Sequence, residues 1–172
     1  MKILSKQKNS RMCMICGLDN EYGVNAPFYN MEDGSVMTVF RYKEQHQSYL
    51  GRVHGGMITA MLDEMGLRSL WAKELSEETF GVTISLDTKY RKPVPYETEL
   101  IGRGVVVKNT SHFIITDSYI MDKDGEILAN GRIKYIKMDT QKIQEGVEVH
   151  EEMPYLVEDG RTEIEGPFFD NL

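Results

Sequence analysis

Between Met57 and Trp71 the apolar residues do not keep to one stripe. Met57, Ile58, Met61, Leu62, Met65, Leu70 and Trp71 surround the axis of a predicted helix, and a helix that is apolar all round belongs inside a core. Asp63 and Glu64 interrupt it. From Thr79 the period changes to two. Phe80, Val82, Ile84, Leu86 and Tyr90 share one face of a predicted strand, and Gly81, Thr83, Ser85, Asp87 and Lys89 share the other. Pro93 and Pro95 end it, and further strands are predicted over 97–108, 112–121 and 127–138, the last two joined by the turn Asp122-Lys123-Asp124-Gly125. Upstream, two short extended runs flank Glu32-Asp33-Gly34, an Asp-Gly hairpin signal, and 43–53 reads as a loop leading to the helix. Short connections favour antiparallel neighbours. With no second helix to cover it, the central helix must be wrapped by the sheet.

Bulk properties narrow the picture. A chain of 172 residues fits one domain with a sizeable core. Its net charge of −7 is uneven: residues 139–172 hold ten acidic groups against Lys142 and Arg161, whereas 1–138 hold 17 acidic and 18 basic. An acidic balance argues against nucleic acid as a partner. No apolar run is long enough to span a membrane, and MKILSKQKNSRM lacks the apolar centre of a secretory signal, so the expected location is the cytoplasm. Cys13 and Cys16 are the only cysteines. The pair is half of a zinc site, a redox dithiol, or two free thiols in a reducing compartment; no His spacing completes a metal site, and none is expected.

The candidate chemistry lies at the helix. Gly55 and Gly56 clear the backbone of Cβ atoms where the first helical amides lack carbonyl partners, which suits an oxyanion, although two glycines also make a plain tight turn. Asp63 stands eight residues past Gly55, about 12 Å along the axis. One carboxylate cannot reach a carbon polarised at the helix start. Either Asp63 is a surface carboxylate, or the two groups meet through an antiparallel helix from a second copy of the chain.

HGGMITAMLDE (54–64), ISLDTKYRKPVP (84–95) and CMICGLDNEYGV (13–24) together resemble the PaaI-like family of hotdog-fold acyl-CoA thioesterases over about residues 13–138. The resemblance implies an α+β hotdog fold, with one long central helix wrapped by a five- to six-stranded antiparallel sheet. Residues 1–25 would form an N-terminal segment with the CxxC pair, 26–138 the hotdog domain and 139–172 an acidic extension. It implies an acyl-CoA substrate, a homodimer or dimer of dimers, and no cofactor. It further implies that the Gly55 amide is the oxyanion donor, with Gly56 beside it, and that Asp63 of the facing subunit is the general base or nucleophile. Thr83 would assist the attacking group, and His54 would fix the turn.

The chain departs from the family where an Asn often precedes the His by six residues. Ser48, with Gln47 beside it, stands there. Lys89, Arg91 and Lys92 form a basic group for the nucleotide phosphates or a solvated strand end, with Lys108 and Arg132 as weaker candidates. Met57, Met61, Met65 and Phe80 line an acyl channel or are plain core. Other expectations for the same fold are a hydratase or dehydratase, whose usual HxD arrangement is missing, and a non-catalytic acyl-CoA-binding module, which needs no Asp63.

Overall fold

The Asp-Gly signal turns the chain as its chemistry dictates. Gly34 takes φ +77°, its amide bonds the Met31 carbonyl, and Asp33 accepts from the Ser35 amide and hydroxyl. The computed structural model describes residues 1–74, 79–138 and 153–166. In chain order these hold β1 (Ile3–Lys6), β2 (Tyr29–Met31), β3 (Val36–Phe40), a 3-10 turn (Glu44–His46), β4 (Gln47–Tyr49), β5 (Arg52–Val53), α1 (Gly55–Glu74), β6 (Phe80–Tyr90), β7 (Leu100–Asn109), β8 (Phe113–Met121) and β9 (Ile127–Met138).

One long helix thus lies against a large antiparallel sheet. The sheet has seven strands in the order β1-β2-β3-β7-β8-β9-β6, more than the expected five or six. The extra strand comes from the polar start, where Ile3, Ser5 and Lys6 pair with β2. The stretch expected as a loop at 43–53 holds the 3-10 turn and the small β4–β5 hairpin. None of the described helices is long and apolar enough to cross a membrane.

The helix sits unusually close to the sheet because glycines face it. A Cβ on Gly104 of β7 would stand 2.5 Å from the Met65 carbonyl oxygen, and one on Gly66 would stand 2.1 Å from the Tyr135 hydroxyl. The sheet does not wrap the helix alone, however. Ile15, Val24, Ala26 and Phe28, from the stretch ahead of β2, join Ile58, Met61 and Met65 in one buried cluster. Arg68, only 1% exposed, fastens that segment: its guanidinium donates to Glu64 at 2.7 Å, to Gln7 Oε1 and the Lys8 carbonyl at 3.1 Å, and lies over the Phe28 ring. A buried guanidinium is tolerated only with such partners.

The alternation expected along β6 fails in the middle. Thr83 pairs with Tyr135 and Ser85 with Lys134, so Ile84 is an inserted bulge residue. The bulge exchanges the faces. Gly81 and Thr83 look to the helix before it, and Thr88 and Tyr90 after it. At the far edge, Lys2 bridges Glu163 and Asn9 bridges Tyr155, and Ile164 is buried beside Met31, Met37 and Ile101. The rest of the acidic stretch, 139–152 and 167–172, lies outside the described residues.

Gly104→Ala should force the helix off the sheet, because the obstacle is backbone. We expect a loss of about 1–3 kcal/mol, measured as a lower urea midpoint with the slope unchanged.

Candidate active site

The helix start is fixed from below by a buried histidine. His46 accepts the Lys43 amide at Nδ1 and therefore donates from Nε2 to the Tyr22 carbonyl, 2.7 Å away, while its own carbonyl takes the His54 amide. His54 then caps the helix. Its Nδ1 accepts the Gly56 amide at 2.9 Å, and its carbonyl accepts those of Met57 and Ile58. Among the described residues nothing accepts the Gly55 amide. Of the first helical donors, it is the one left open.

That amide borders a cavity of about 590 Å³ lined by Ser48, Tyr49, Arg52, Gly55, Gly56 and Ile58 on one side and by Tyr90 to Val94 on the other. Three sequence-predicted residues, Ser48, Arg91 and Lys92, are thus brought to the two glycines. Two are not. Gln47 is exposed in β4 opposite Val53, and Lys89 is exposed on β6; neither lines the cavity. Arg91 donates to Asn130 at 2.6 Å, and Lys92 pairs with Glu126. Away from the cavity, Arg132 forms a bidentate pair with Asp117, and Lys108 lies over the Phe113 ring. Met61 and Met65 are fully buried core residues, Met57 packs on the same cluster, and Phe80 stacks edge-on against Trp71.

Asp63 is half-buried two turns along the helix, on the face toward β6. The Thr83 hydroxyl lies 2.9 and 3.2 Å from its two carboxylate oxygens, and the Tyr135 hydroxyl donates to its main-chain carbonyl at 2.6 Å. Burial raises the carboxyl pKa above its ordinary value; the Thr83 and Tyr135 hydroxyls oppose this, and neighbouring Glu64 adds to it. The net result is a carboxylate more basic than a surface aspartate and still solvent-accessible, which suits proton abstraction. Within one chain it remains about 12 Å of helix from Gly55.

Two contributors escaped sequence reasoning. Tyr90 donates from its hydroxyl to the Gly55 carbonyl at 3.1 Å and shares a 2.7 Å hydrogen bond with Thr59. Its place at the head of the aromatic-basic-Pro run was the available signal. Arg52 adds a cation to the cavity wall, with no signal beyond its nearness to the glycines. Among the described residues, one group offers metal-type ligands: Cys13, Cys16 and Glu64, whose donor atoms lie within 4.8 Å of one another.

The sequence profile of the thioesterase superfamily matches residues 50–129. Human acyl-coenzyme A thioesterase 13 is 23% identical over 100 residues, 58% of this chain and 70% of that protein. A crystal structure described as a thioesterase superfamily protein superposes with a TM-score of 0.65 at 25% identity, covering 73% of this chain. The match spans 63% of that protein, under two thirds of its length. A phenylacetic acid degradation-related protein from Ralstonia eutropha JMP134 superposes with a TM-score of 0.58 at 19% identity, covering 66% of this chain and 85% of that one, a likeness of fold.

Thr83→Val removes the hydroxyl that favours the ionised form of Asp63, so the carboxyl pKa should move further up. A carbon-detected NMR titration of the Asp63 carboxyl reads the shift, and an unchanged midpoint would remove Thr83 from this role.

Proposed function

We propose that the chain, whose residues 50–129 match the thioesterase superfamily and whose fold is that of its hotdog structures, hydrolyses acyl-CoA thioesters at two equivalent sites, each shared between two subunits of a homodimer. One observation carries this: β6, the last strand of the sheet, touches both candidate groups, with Thr83 at Asp63 and Tyr90 at Gly55. Among the described residues its outer edge has no strand beside it, and on this edge strand Val82 and Ile84 are 41% and 53% exposed. An open apolar edge favours pairing with another strand. Antiparallel pairing of two β6 edges centred near Asp87 sets Thr83 of each copy across from Tyr90 of the other. The 12 Å that separates Gly55 from Asp63 along one helix is thereby cancelled by the two-fold axis.

The chemistry follows from the two groups. The thioester carbonyl oxygen accepts from the open Gly55 amide, which stabilises the developing oxyanion; such a donor lowers the barrier by about 3–4 kcal/mol. The helix dipole acts in the same sense. Asp63 of the partner subunit then takes a proton from water or attacks directly, and the thiolate of coenzyme A departs. Tyr90 positions the Gly55 peptide through its carbonyl. Arg52, Arg91 and Lys92 supply cations at the cavity wall for the phosphates, although Lys92 must first yield Glu126.

A panel of acyl-CoAs assayed for free thiol release tests the activity, and no release with any of them would overturn it. Asp63→Asn should lower kcat at least about 100-fold with the dimer intact by light scattering. In the wild type, Asp63 must be ionised to act and its pKa is raised. Activity should therefore fall as pH drops through a midpoint above that of an ordinary aspartate, and Thr83→Val should move that limb upward. Ile84→Lys sets a charge on the proposed seam; we expect monomers in light scattering and loss of most hydrolysis, whereas an active monomer would refute the shared site.

A further inference from the structure

Cys13 and Cys16 take no part in the hydrolysis described above, yet they are held in unlike surroundings. The chain turns tightly between them: the Gly17 amide bonds the Cys13 carbonyl at 2.9 Å, and a Cβ on Gly17 would stand 2.5 Å from the Cys13 backbone. The two sulfurs come within 4.8 Å, close enough to join with little movement of the turn. Cys13 is partly exposed. Its sulfur accepts the Ile15 amide at 3.3 Å and lies 3.9 Å from Glu64 Oε2. Cys16 is 2% exposed, with the Ser10 hydroxyl 3.3 Å from its sulfur.

We propose that Cys13 and Cys16 form a thiol–disulfide exchange site whose substrates are small-molecule disulfides, Cys13 being the attacking sulfur and Cys16 the resolving one. Geometry divides the roles. The attacking sulfur must be reachable and must be a thiolate, and Cys13 is the one that is half-open and bonded by a backbone amide. The Cys16 thiol and the amides of Cys16 and Ile15 bring its pKa down to about 7 against burial and Glu64, near the optimum for an attacking thiol at neutral pH. The hydrogen bond to Cys13 is the main reason that Cys16 is held protonated, with burial and Glu64 acting in the same sense.

The first step itself frees the second. The Cys13 thiolate attacks one sulfur of the disulfide, forms a mixed disulfide and expels one thiolate. Cys13 then carries no negative charge, so the chief restraint on Cys16 is lifted while Arg68 continues to favour its thiolate. Cys16 gives its proton to the released thiolate or to water and attacks the Cys13 sulfur, and the second thiolate leaves. The two protein thiols are oxidised to one disulfide as the small disulfide is reduced to two thiols, so electrons and protons balance.

A metal ion is the competing occupant of Cys13, Cys16 and Glu64. It would need both sulfurs as thiolates and a free carboxylate. Glu64 Oε1 is already committed to Arg68 at 2.7 Å, and that buried guanidinium sets a fixed positive charge beside the cluster.

The test incubates the reduced full-length protein with oxidised glutathione at neutral pH and follows it by intact mass and peptide mapping. The wild type should lose two hydrogens and carry a Cys13–Cys16 disulfide. Cys16→Ser should accumulate one glutathionyl group on Cys13, and Cys13→Ser should react at least about tenfold more slowly. Cys16→Ala repeats the trap should the buried serine impair folding, with thermal melts to establish that each variant is native. Equal rates for C13S and C16S, a wild type that stops at the mixed disulfide, or a wild type whose thiols stay blocked by stoichiometric zinc until a chelator is added would each overturn the proposal.

Discussion

The close approach of α1 to the sheet is the constraint on which the rest depends. Gly66 leaves room on the helix for the Tyr135 hydroxyl, and Gly104 leaves room on β7 for the Met65 carbonyl. With no side chains between the layers, Tyr135 reaches the main chain of Asp63, and Thr83 reaches its carboxylate from the neighbouring strand. A helix one methyl group further out would hold neither bond at its present length. The same closeness leaves the face of α1 turned from the sheet for residues 7–28 to cover, and Arg68 draws them in through Gln7 and Lys8.

The two ends of the candidate site differ in what holds them. At Gly55 the support is mostly local, with His46 under the loop and His54 as cap, and Tyr90 of β6 adds a bond to the carbonyl of the same residue. The open amide is open because its neighbours are occupied. At Asp63 the support is long-range, from β6 and β9, which themselves pair from Phe80 with Met138 to Tyr90 with Ala129. Strand β6 therefore couples the ends mechanically while its bulge at Ile84 settles which side chains face the helix. Were these same residues a regular strand with no bulge, Thr83 and Tyr90 would sit on opposite faces, since seven positions apart is an odd step in a period of two.

That bulge marks where sequence reasoning stops. The buried helix, the Asp33-Gly34 turn and the strand Ile127–Met138 were legible because each rests on local signals, a periodicity or a turn chemistry. The separation of Gly55 from Asp63 was legible too, being fixed by helical rise. The strand in Ile3–Lys6 was not, because its support is the β2 edge that it pairs with rather than its own pattern. Nor was the cover that residues 7–28 provide, which stands on an apolar face of α1 reached from far along the chain. The alternation along β6 misled because a single extra residue reverses all positions beyond it, and no side-chain pattern announces one.

Asp63 and Glu64 show how a single helical step separates two chemistries. Successive residues point about 100° apart around the axis, so Asp63 turns to β6 and its hydroxyls while Glu64 turns to the N-terminal segment, where Arg68 and Cys13 meet it. The pairing of Glu64 with a buried guanidinium does more than satisfy that cation. It draws the second carboxylate away from the first and partly neutralises it, which limits how far Glu64 can raise the pKa of Asp63. An unpaired Glu64 would push Asp63 further toward its protonated form. The ion pair that anchors the N-terminal segment thus also helps keep Asp63 ionised, and the cover over the helix is part of the electrostatics of the site on the opposite face.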